Sequence, residues 1–208
     1  GRADETREEI YDANLKYGLR VLELAKVIKA KYFINFDTSL PSNLNDYSLS
    51  KAAFRSAIEN LDYSNLNIIN LRIETIYGPN NKGTDFSNLI IESCLKGENL
   101  IELSNCEQVR DFIYYKDLIN CVETILNNLD SFPAFKTLQV GTGVGTSYKK
   151  FATLFKYLSN SKTELNFGKL PYRDNEPMKS IADIKDLNKI GWTPATTLEQ
   201  GFIEIIAH

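Results

Sequence analysis

Residues 32–51 read Tyr32-Phe33-Ile34-Asn35-Phe36-Asp37-Thr38-Ser39-Leu40-Pro41-Ser42-Asn43-Leu44-Asn45-Asp46-Tyr47-Ser48-Leu49-Ser50-Lys51. The run 32–36 is short and apolar with no helical period, the pattern of a buried parallel strand. Residues 37–46 are rich in Ser, Asn, Asp and Pro and read as a loop. A helical pattern returns over 47–60. Upstream, Ile10, Leu15, Leu19, Leu22, Leu24, Ala25 and Ile28 recur mostly at helical spacing and predict one long helix over 8–29. Downstream, Leu66, Ile68, Ile69, Leu71 and Ile73 predict a second buried strand, ending in the turn Tyr77-Gly78-Pro79-Asn80-Asn81. Helix, strand, helix, strand implies a parallel sheet with right-handed crossovers, the second half of a doubly wound fold.

After Gly83 the alternation loosens. Helices are predicted at 86–96, 116–129, 147–158, 184–190 and 198–206, and strands at 101–103, 112–114, 137–140 and 165–167. The expected division is one domain over 1–80 and a smaller α+β lobe over 81–208, interleaved with the last strands of the sheet. The balance of 43% hydrophobic and 25% charged residues is that of a globular protein. A net charge of -3 offers no footprint for nucleic acid or an anionic membrane. No run of about 18 apolar residues is present to span a bilayer. Cys94, Cys106 and Cys121 lack metal-ligand spacing and read as reduced thiols in a cytoplasmic protein. The sole histidine is the last residue, His208, which removes Ser-His-Asp and Cys-His catalysis and leaves Tyr, Lys, Asp and Glu for proton transfer.

Tyr47 and Lys51 carry the chemistry. Four residues apart at a helix start, they share one face. An ammonium beside a phenol favours the phenolate and is expected to lower the tyrosine pKa from about 10. Such a tyrosine exchanges a proton with a hydroxyl or carbonyl. Thr38 and Ser39 stand near the carboxyl end of the strand, where ligands bind in open α/β sheets. Tyr-x-x-x-Lys alone is a weak signal and fits a solvated pair on a helix face better than a site. The strand-end hydroxyls and the second strand ending in Tyr77-Gly78-Pro79 give it context.

Further stretches follow in order: Leu71-Arg72-Ile73, Val109-Arg110-Asp111-Phe112-Ile113-Tyr114-x-x-Asp117-Leu118, Val140-Gly141-Thr142-Gly143, Arg173-Asp174-Asn175-Glu176-Pro177 and Gly191-Trp192-Thr193-Pro194. Together with Asp37-Thr38-Ser39 and Tyr47-x-x-x-Lys51, the chain resembles the extended short-chain dehydrogenase/reductase family. The likeness is to its NAD-dependent epimerase/dehydratase branch of nucleotide-sugar enzymes, which serve polysaccharide biosynthesis. The short loop before Tyr47 and the segment Leu170-Pro171-Tyr172-Arg173 resemble most the reductases of nucleotide-linked 4-keto-6-deoxyhexoses, such as the abequose and paratose synthases.

The resemblance implies the C-terminal part of a Rossmann-like sheet, holding NAD or NADP, with a small lobe for a nucleotide-diphosphate sugar. It gives Tyr47 the catalytic acid/base role, Lys51 the nicotinamide ribose, and Thr38 the substrate oxygen, with Ser39 or Asp37 as alternatives for that last position. Residues 73–76 would line the nicotinamide pocket, Ile73 and Ile76 facing the cofactor and Thr75 the sugar. Arg110 and Arg173 would grip the diphosphate, and Glu176 the nucleotide ribose. The activity implied is reduction at C4, with a 4-epimerase or dehydratase, or a non-catalytic sugar-nucleotide-binding or assembly protein, as alternatives. A homodimer through the helices at 5–30 and 47–60 is expected. Arg110 beside Asp111 also fits a surface ion pair, and Arg173 a solvated loop residue. Gly141-x-Gly143-x-Gly145 lacks the Lys-Ser/Thr of a phosphate loop and reads as a turn. Trp192 reads as a packing residue. The glycine-rich βα turn of the family does not stand in this sequence. Without its helix N-terminus a pyrophosphate lacks its anchor, so an incomplete cofactor site and a largely inactive chain are expected.

Overall fold

The computed structural model describes residues 5–60, 66–81 and 83–208. In chain order the elements begin with α1 (Arg7–Tyr11), a π-helical turn (Asp12–Lys16), α2 (Tyr17–Val27), β1 (Tyr32–Thr38), α3 (Asp46–Glu59), β2 (Asn67–Ile73) and β3 (Thr75–Tyr77). They continue with α4 (Phe86–Lys96), β4 (Leu100–Glu102), β5 (Val109–Tyr114), α5 (Tyr115–Asn127), a 3-10 turn (Leu129–Ser131) and β6 (Phe135–Val140). The last are β7 (Gly145–Ser147), α6 (Tyr148–Leu158), β8 (Glu164–Asn166), β9 (Lys179–Ser180), α7 (Lys185–Lys189) and α8 (Leu198–Ile206).

Two compact units result. One comprises Gly1–Ile73, Cys121–Val140 and Asp183–Trp192; the other comprises Glu74–Asn120, Gly141–Ala182 and Thr193–His208. This differs from a single cut at residue 80, because the first unit collects β6 and α7 from far along the chain and β3 belongs to the second.

The first unit is built on a parallel sheet of order β1-β2-β6. β2, hydrogen-bonded on both sides, buries Ile68, Ile69 and Leu71 completely, as a strand with no solvent face should. β1 was expected to be equally buried. It forms the end of this sheet among the described residues, and positions 32–35 are half-buried while Phe36 is exposed. Leu22 and Ala25 of α2 pack with Phe54 and Ile58 of α3 on Ile68 and Phe33. A methyl group on Gly18 would meet the Phe54 ring at 2.9 Å, so the glycine sets how closely the chain approaches. The π turn explains an irregularity in the first helix: Ile10 and Leu15 are five residues apart, a step that fits π rather than α geometry. Gly191, at φ +85°, terminates α7, and Trp192 is buried, as expected of a packing residue.

The second unit holds β5 between β3 and β7, with β9 also pairing to β5, and a separate parallel pair, β4 with β8. Its core is aromatic: Tyr77, Phe151 and Phe202 meet edge to face, with Phe155 against Phe202. The strands β3, β7 and β9 went unpredicted. Each has three residues or fewer, and none stands in an apolar run of its own: β3 runs into the predicted turn at 77–81, β7 begins in the glycine run, and β9 is the polar pair Lys179–Ser180.

Candidate active site

The carboxyl end of β1 and the start of α3 position the first group of residues. The strand runs on through Thr38, two residues beyond the predicted end, because Asp37 and Thr38 pair with Arg72 and Ile73 of β2. Asn45 then starts α3 with a capping box. Its side chain accepts from the Ser48 amide at 2.9 Å, and its own amide donates to Ser48 Oγ at 3.1 Å. That cap puts Tyr47 in the first turn and Lys51 one turn on.

Lys51 and Tyr47 do come together. The Lys51 ammonium lies 5.9 Å from the centre of the Tyr47 ring and donates to the Phe36 carbonyl at 2.9 Å, which ties it to the end of β1. The expected lowering of the Tyr47 pKa does not follow. Burial raises it, and the negative charge of Asp37 raises it further. Burial also lowers the Lys51 pKa, partly offset by Asp37. At 5.9 Å from the ring centre the ammonium does not offset these effects on Tyr47.

Thr38 is buried, and its hydroxyl oxygen accepts from the Leu40 amide at 3.2 Å, leaving the hydroxyl proton to donate. The Ser39 amide donates to the Ile73 carbonyl at 3.1 Å, which knits the two strand ends. Arg72 reaches across to the carbonyls of Thr38 and Ser39 at 3.5 and 3.3 Å. Asp37 is not available as an alternative partner for a substrate oxygen. Its enclosed carboxylate binds Arg55 Nη1 at 2.5 Å, the Asn70 side chain at 3.2 Å and the Thr38 amide at 2.8 Å.

The second group lies in the other unit. Arg110 is 3% exposed, so it is no surface residue. It donates to Glu176 Oε1 at 2.6 Å and to the Val109 carbonyl at 3.0 Å, and it lies 5.4 Å from the Tyr148 ring centre. Tyr148 in turn stacks on Phe86 at 3.9 Å. Alternation along β5 sends Asp111 elsewhere. Its carboxylate accepts from the amides of Thr142, Gly143 and Ala182 and from the Thr142 hydroxyl. The Arg110–Asp111 surface pair is therefore excluded. The glycine run 141–145 is a turn whose amides already hold a carboxylate. A methyl group on Gly141 would collide with Asp111, so that turn requires glycine.

Glu176 and Arg173 share a turn, closed by the Glu176 amide donating to the Arg173 carbonyl at 3.1 Å. Arg173 is exposed. Burial raises the Tyr148 pKa, and the charges of Arg110 and Arg173 oppose the shift. Thr75 is half-buried on β3, while Ile76 beside it is 41% exposed. Between Ile73 and Thr75, Glu74 is buried and accepts from the Ser180 hydroxyl with both oxygens.

The family described as "NAD dependent epimerase/dehydratase family" matches residues 1–141. The chain belongs to that family. It is 33% identical over 211 residues to CDP-abequose synthase of Salmonella typhimurium, covering 95% of this chain and 69% of the relative. Among solved structures it is similar to UDP-glucose 4-epimerase of Thermus thermophilus in complex with NAD, at a TM-score of 0.80 and 21% identity, over 95% of this chain and 70% of that one. UDP-glucose 4-epimerase of Thermotoga maritima with UDP-glucose also matches at a TM-score of 0.80, with 23% identity, over 95% and 69%. These two likenesses establish the Rossmann-like fold.

The family match spans Thr38, Tyr47, Lys51, Ile73, Thr75, Ile76 and Arg110, while Arg173 and Glu176 lie beyond it. Reasoning from the sequence of this epimerase/dehydratase chain missed the Asp37–Arg55 pair and the Phe86–Tyr148 stack. One signal for the first was present: Arg55 stands eight residues after Tyr47, on the same helical face, and an aspartate directly follows the run 32–36.

Proposed function

We propose that the protein is a nucleotide-sugar oxidoreductase that reduces the C4 carbonyl of a nucleotide-linked 4-keto-6-deoxyhexose. The observation that carries this is the half-buried Tyr47 phenol, beside Lys51 at the carboxyl end of a parallel strand and held above its ordinary pKa by burial and Asp37. A phenol kept protonated suits a proton donor. In this reading Tyr47 gives its proton to the C4 oxygen as the carbon takes up hydride, and the Thr38 hydroxyl donates to the same oxygen. Lys51 stabilises the phenolate left behind. A bound nicotinamide, NAD(P)H, supplies the hydride.

The residues present fit such a cofactor. Lys51 spends one of its three N–H donors on Phe36 and keeps two for ribose hydroxyls. Ile76 offers exposed apolar surface, and in this reading Ile73 and Ile76 would face the nicotinamide ring. Arg110 and Arg173 would hold the diphosphate, Glu176 the nucleotide ribose and Thr75 the sugar. The cytidine diphosphate in the name of the 33% identical relative makes a CDP-linked sugar the first substrate to try. A 4-epimerase or dehydratase would use the same residues.

The homodimer belongs to this reading. Tyr17, Leu24, Val27 and Ile28 expose apolar side chains on α2 and its C-terminal end, Val27 to 78%, and Leu49 does so on α3. No described helix is long and apolar enough to cross a membrane, and the three cysteines are free and buried, which supports a cytoplasmic setting.

The test is NAD(P)H oxidation by the full-length protein with a CDP-linked 4-keto-6-deoxyhexose. Tyr47→Phe should abolish it and leave binding of the nucleotide diphosphate intact. Undiminished turnover in Tyr47→Phe would refute the assignment. Binding without turnover in the wild type would favour a non-catalytic sugar-nucleotide-binding protein.

A further inference from the structure

We propose that the buried Asp37–Arg55 ion pair is a clamp that fixes α3 against the end of β1, and so sets where Tyr47 stands relative to Thr38. Tyr47, Lys51 and Arg55 fall at i, i+4 and i+8 of one helix and form three successive rungs on one face. Two of these rungs are tied to consecutive residues of β1: Lys51 Nζ donates to the Phe36 carbonyl at 2.9 Å, and Arg55 Nη1 donates to Asp37 Oδ2 at 2.5 Å. The third rung, Tyr47, carries the proton.

The same carboxylate reaches forward along its own strand. Asp37 Oδ1 accepts from the Thr38 amide at 2.8 Å, which orients the residue whose hydroxyl is the second donor. One side chain thus holds both the helix of the phenol and the backbone of the threonine. The carboxylate is itself braced from the neighbouring strand. Asn70 of β2 donates to Asp37 Oδ2 at 3.2 Å and accepts from Asn35 at 2.7 Å. Asn35 and Asn70 are paired in register, so the brace is built into the sheet.

Enclosure makes the clamp stiff. The Asp37 side chain has no exposed surface and that of Arg55 is 18% exposed, so water does not compete freely for the pair. Asp37 has at least one partner for each oxygen, and the planar guanidinium loses little freedom in pairing. A surface ion pair would yield; this one, tied to a backbone amide and a buried asparagine, holds a geometry. Asp37 and Arg55 are therefore positioning residues. The role rests on the reading that Tyr47 and Thr38 act on one carbonyl oxygen.

Four variants of the full-length protein test it: Asp37→Asn, Arg55→Gln, the two combined, and Arg55→Lys. The combined variant leaves no orphaned charge and keeps an amide oxygen for the Thr38 amide, so it is the one best able to fold. Each neutralising single variant should lower kcat about tenfold or more with KM for the nucleotide sugar within about twofold, since misplaced catalytic groups cost rate rather than binding. The combined variant should fall no further than the worse single variant by more than about twofold, because one interaction cannot be lost twice. Arg55→Lys, which keeps the charge, should recover most of the rate.

Hydrogen exchange supplies a readout independent of turnover. In the combined variant the amides of Thr38 and of residues 50–55 should exchange about tenfold faster, with those of β2 unchanged, as for a local loosening. Additive losses, losses shared equally between kcat and KM, or unchanged exchange at these amides would each overturn the clamp. A wild type that reduces no 4-keto sugar would sink the functional reading instead. The exchange result would then decide the clamp by itself.

Discussion

Two buried arginine–carboxylate pairs, one in each unit, show how the same chemistry is put to different use. At the end of β1, Asp37 and Arg55 stand on regular elements, a strand and a helix, and the carboxylate is also held by a backbone amide and Asn70. On β5, Arg110 meets Glu176, whose carboxylate is carried by a loop, in a turn it shares with the exposed Arg173. Rigid elements on both sides give a fixed spacing, as proton transfer requires. A loop-borne carboxylate can let go, as an anion-binding arginine requires if a phosphate is to replace its partner. The contrast is consistent with the first pair positioning and the second receiving a ligand.

The comparison can be broken at several points, with effects of falling size. Tyr47→Phe should lower kcat about 10²–10⁴-fold, the usual contribution of a positioned acid, with the melting temperature unchanged. A smaller loss in steady-state NAD(P)H oxidation would remove the phenol from the chemistry. Asp37→Ala leaves Arg55 with an uncompensated, largely buried charge and should cost about 3–5 kcal/mol in urea unfolding. Glu176→Ala should cost less, about 1.5–3 kcal/mol, because Arg110 keeps the Val109 carbonyl and the Tyr148 ring. If Glu176→Ala proved the more damaging of the two, the contrast between fixed and releasable pairs would fail.

Arg173→Ala should change stability by no more than about 0.5 kcal/mol, since the residue is exposed. Calorimetry with a nucleoside diphosphate should nevertheless show weaker binding, by about tenfold for a lost charge-assisted contact. The smallest effect is one of pH. The Tyr47 pKa is raised, so its proton is retained below that value and lost as the pH climbs through it. Reduction should therefore persist past the ordinary tyrosine value of about 10 and then decline. Asp37→Asn, which removes the second cause of the shift, should bring the decline to lower pH. A decline well below the ordinary tyrosine value in the wild type would show that the phenolate is favoured instead.

Much of this was legible in the residues themselves. The apolar run at 32–36, the polar interval and the helical period from residue 47 placed the strand, the loop and the helix to within two residues at their junctions. Tyr47 and Lys51 were visible as a pair because four residues of helix are enough to bring them together. Glu176 and Arg110 were named separately, through a family resemblance, and their bond to each other was not visible, since 66 residues separate them. The sign of the Tyr47 shift was misjudged for a related reason. The ammonium is close in sequence, but burial and Asp37 act through the packing of a strand against a helix.

What the sequence determined by itself is the local part: which of the longer segments are strands and helices, and that a phenol and an ammonium share a helical turn. Those features depend on periodicity and on contacts a few residues long. The tertiary structure alone decided that Asp37 would be enclosed with Arg55, that Asp111 would close the Gly141 turn instead of pairing with Arg110, and that burial and Asp37 would shift the Tyr47 pKa upward rather than down. Each of these depends on how far a charge is withdrawn from water and on which distant partner meets it, and only the packing of remote segments supplies either.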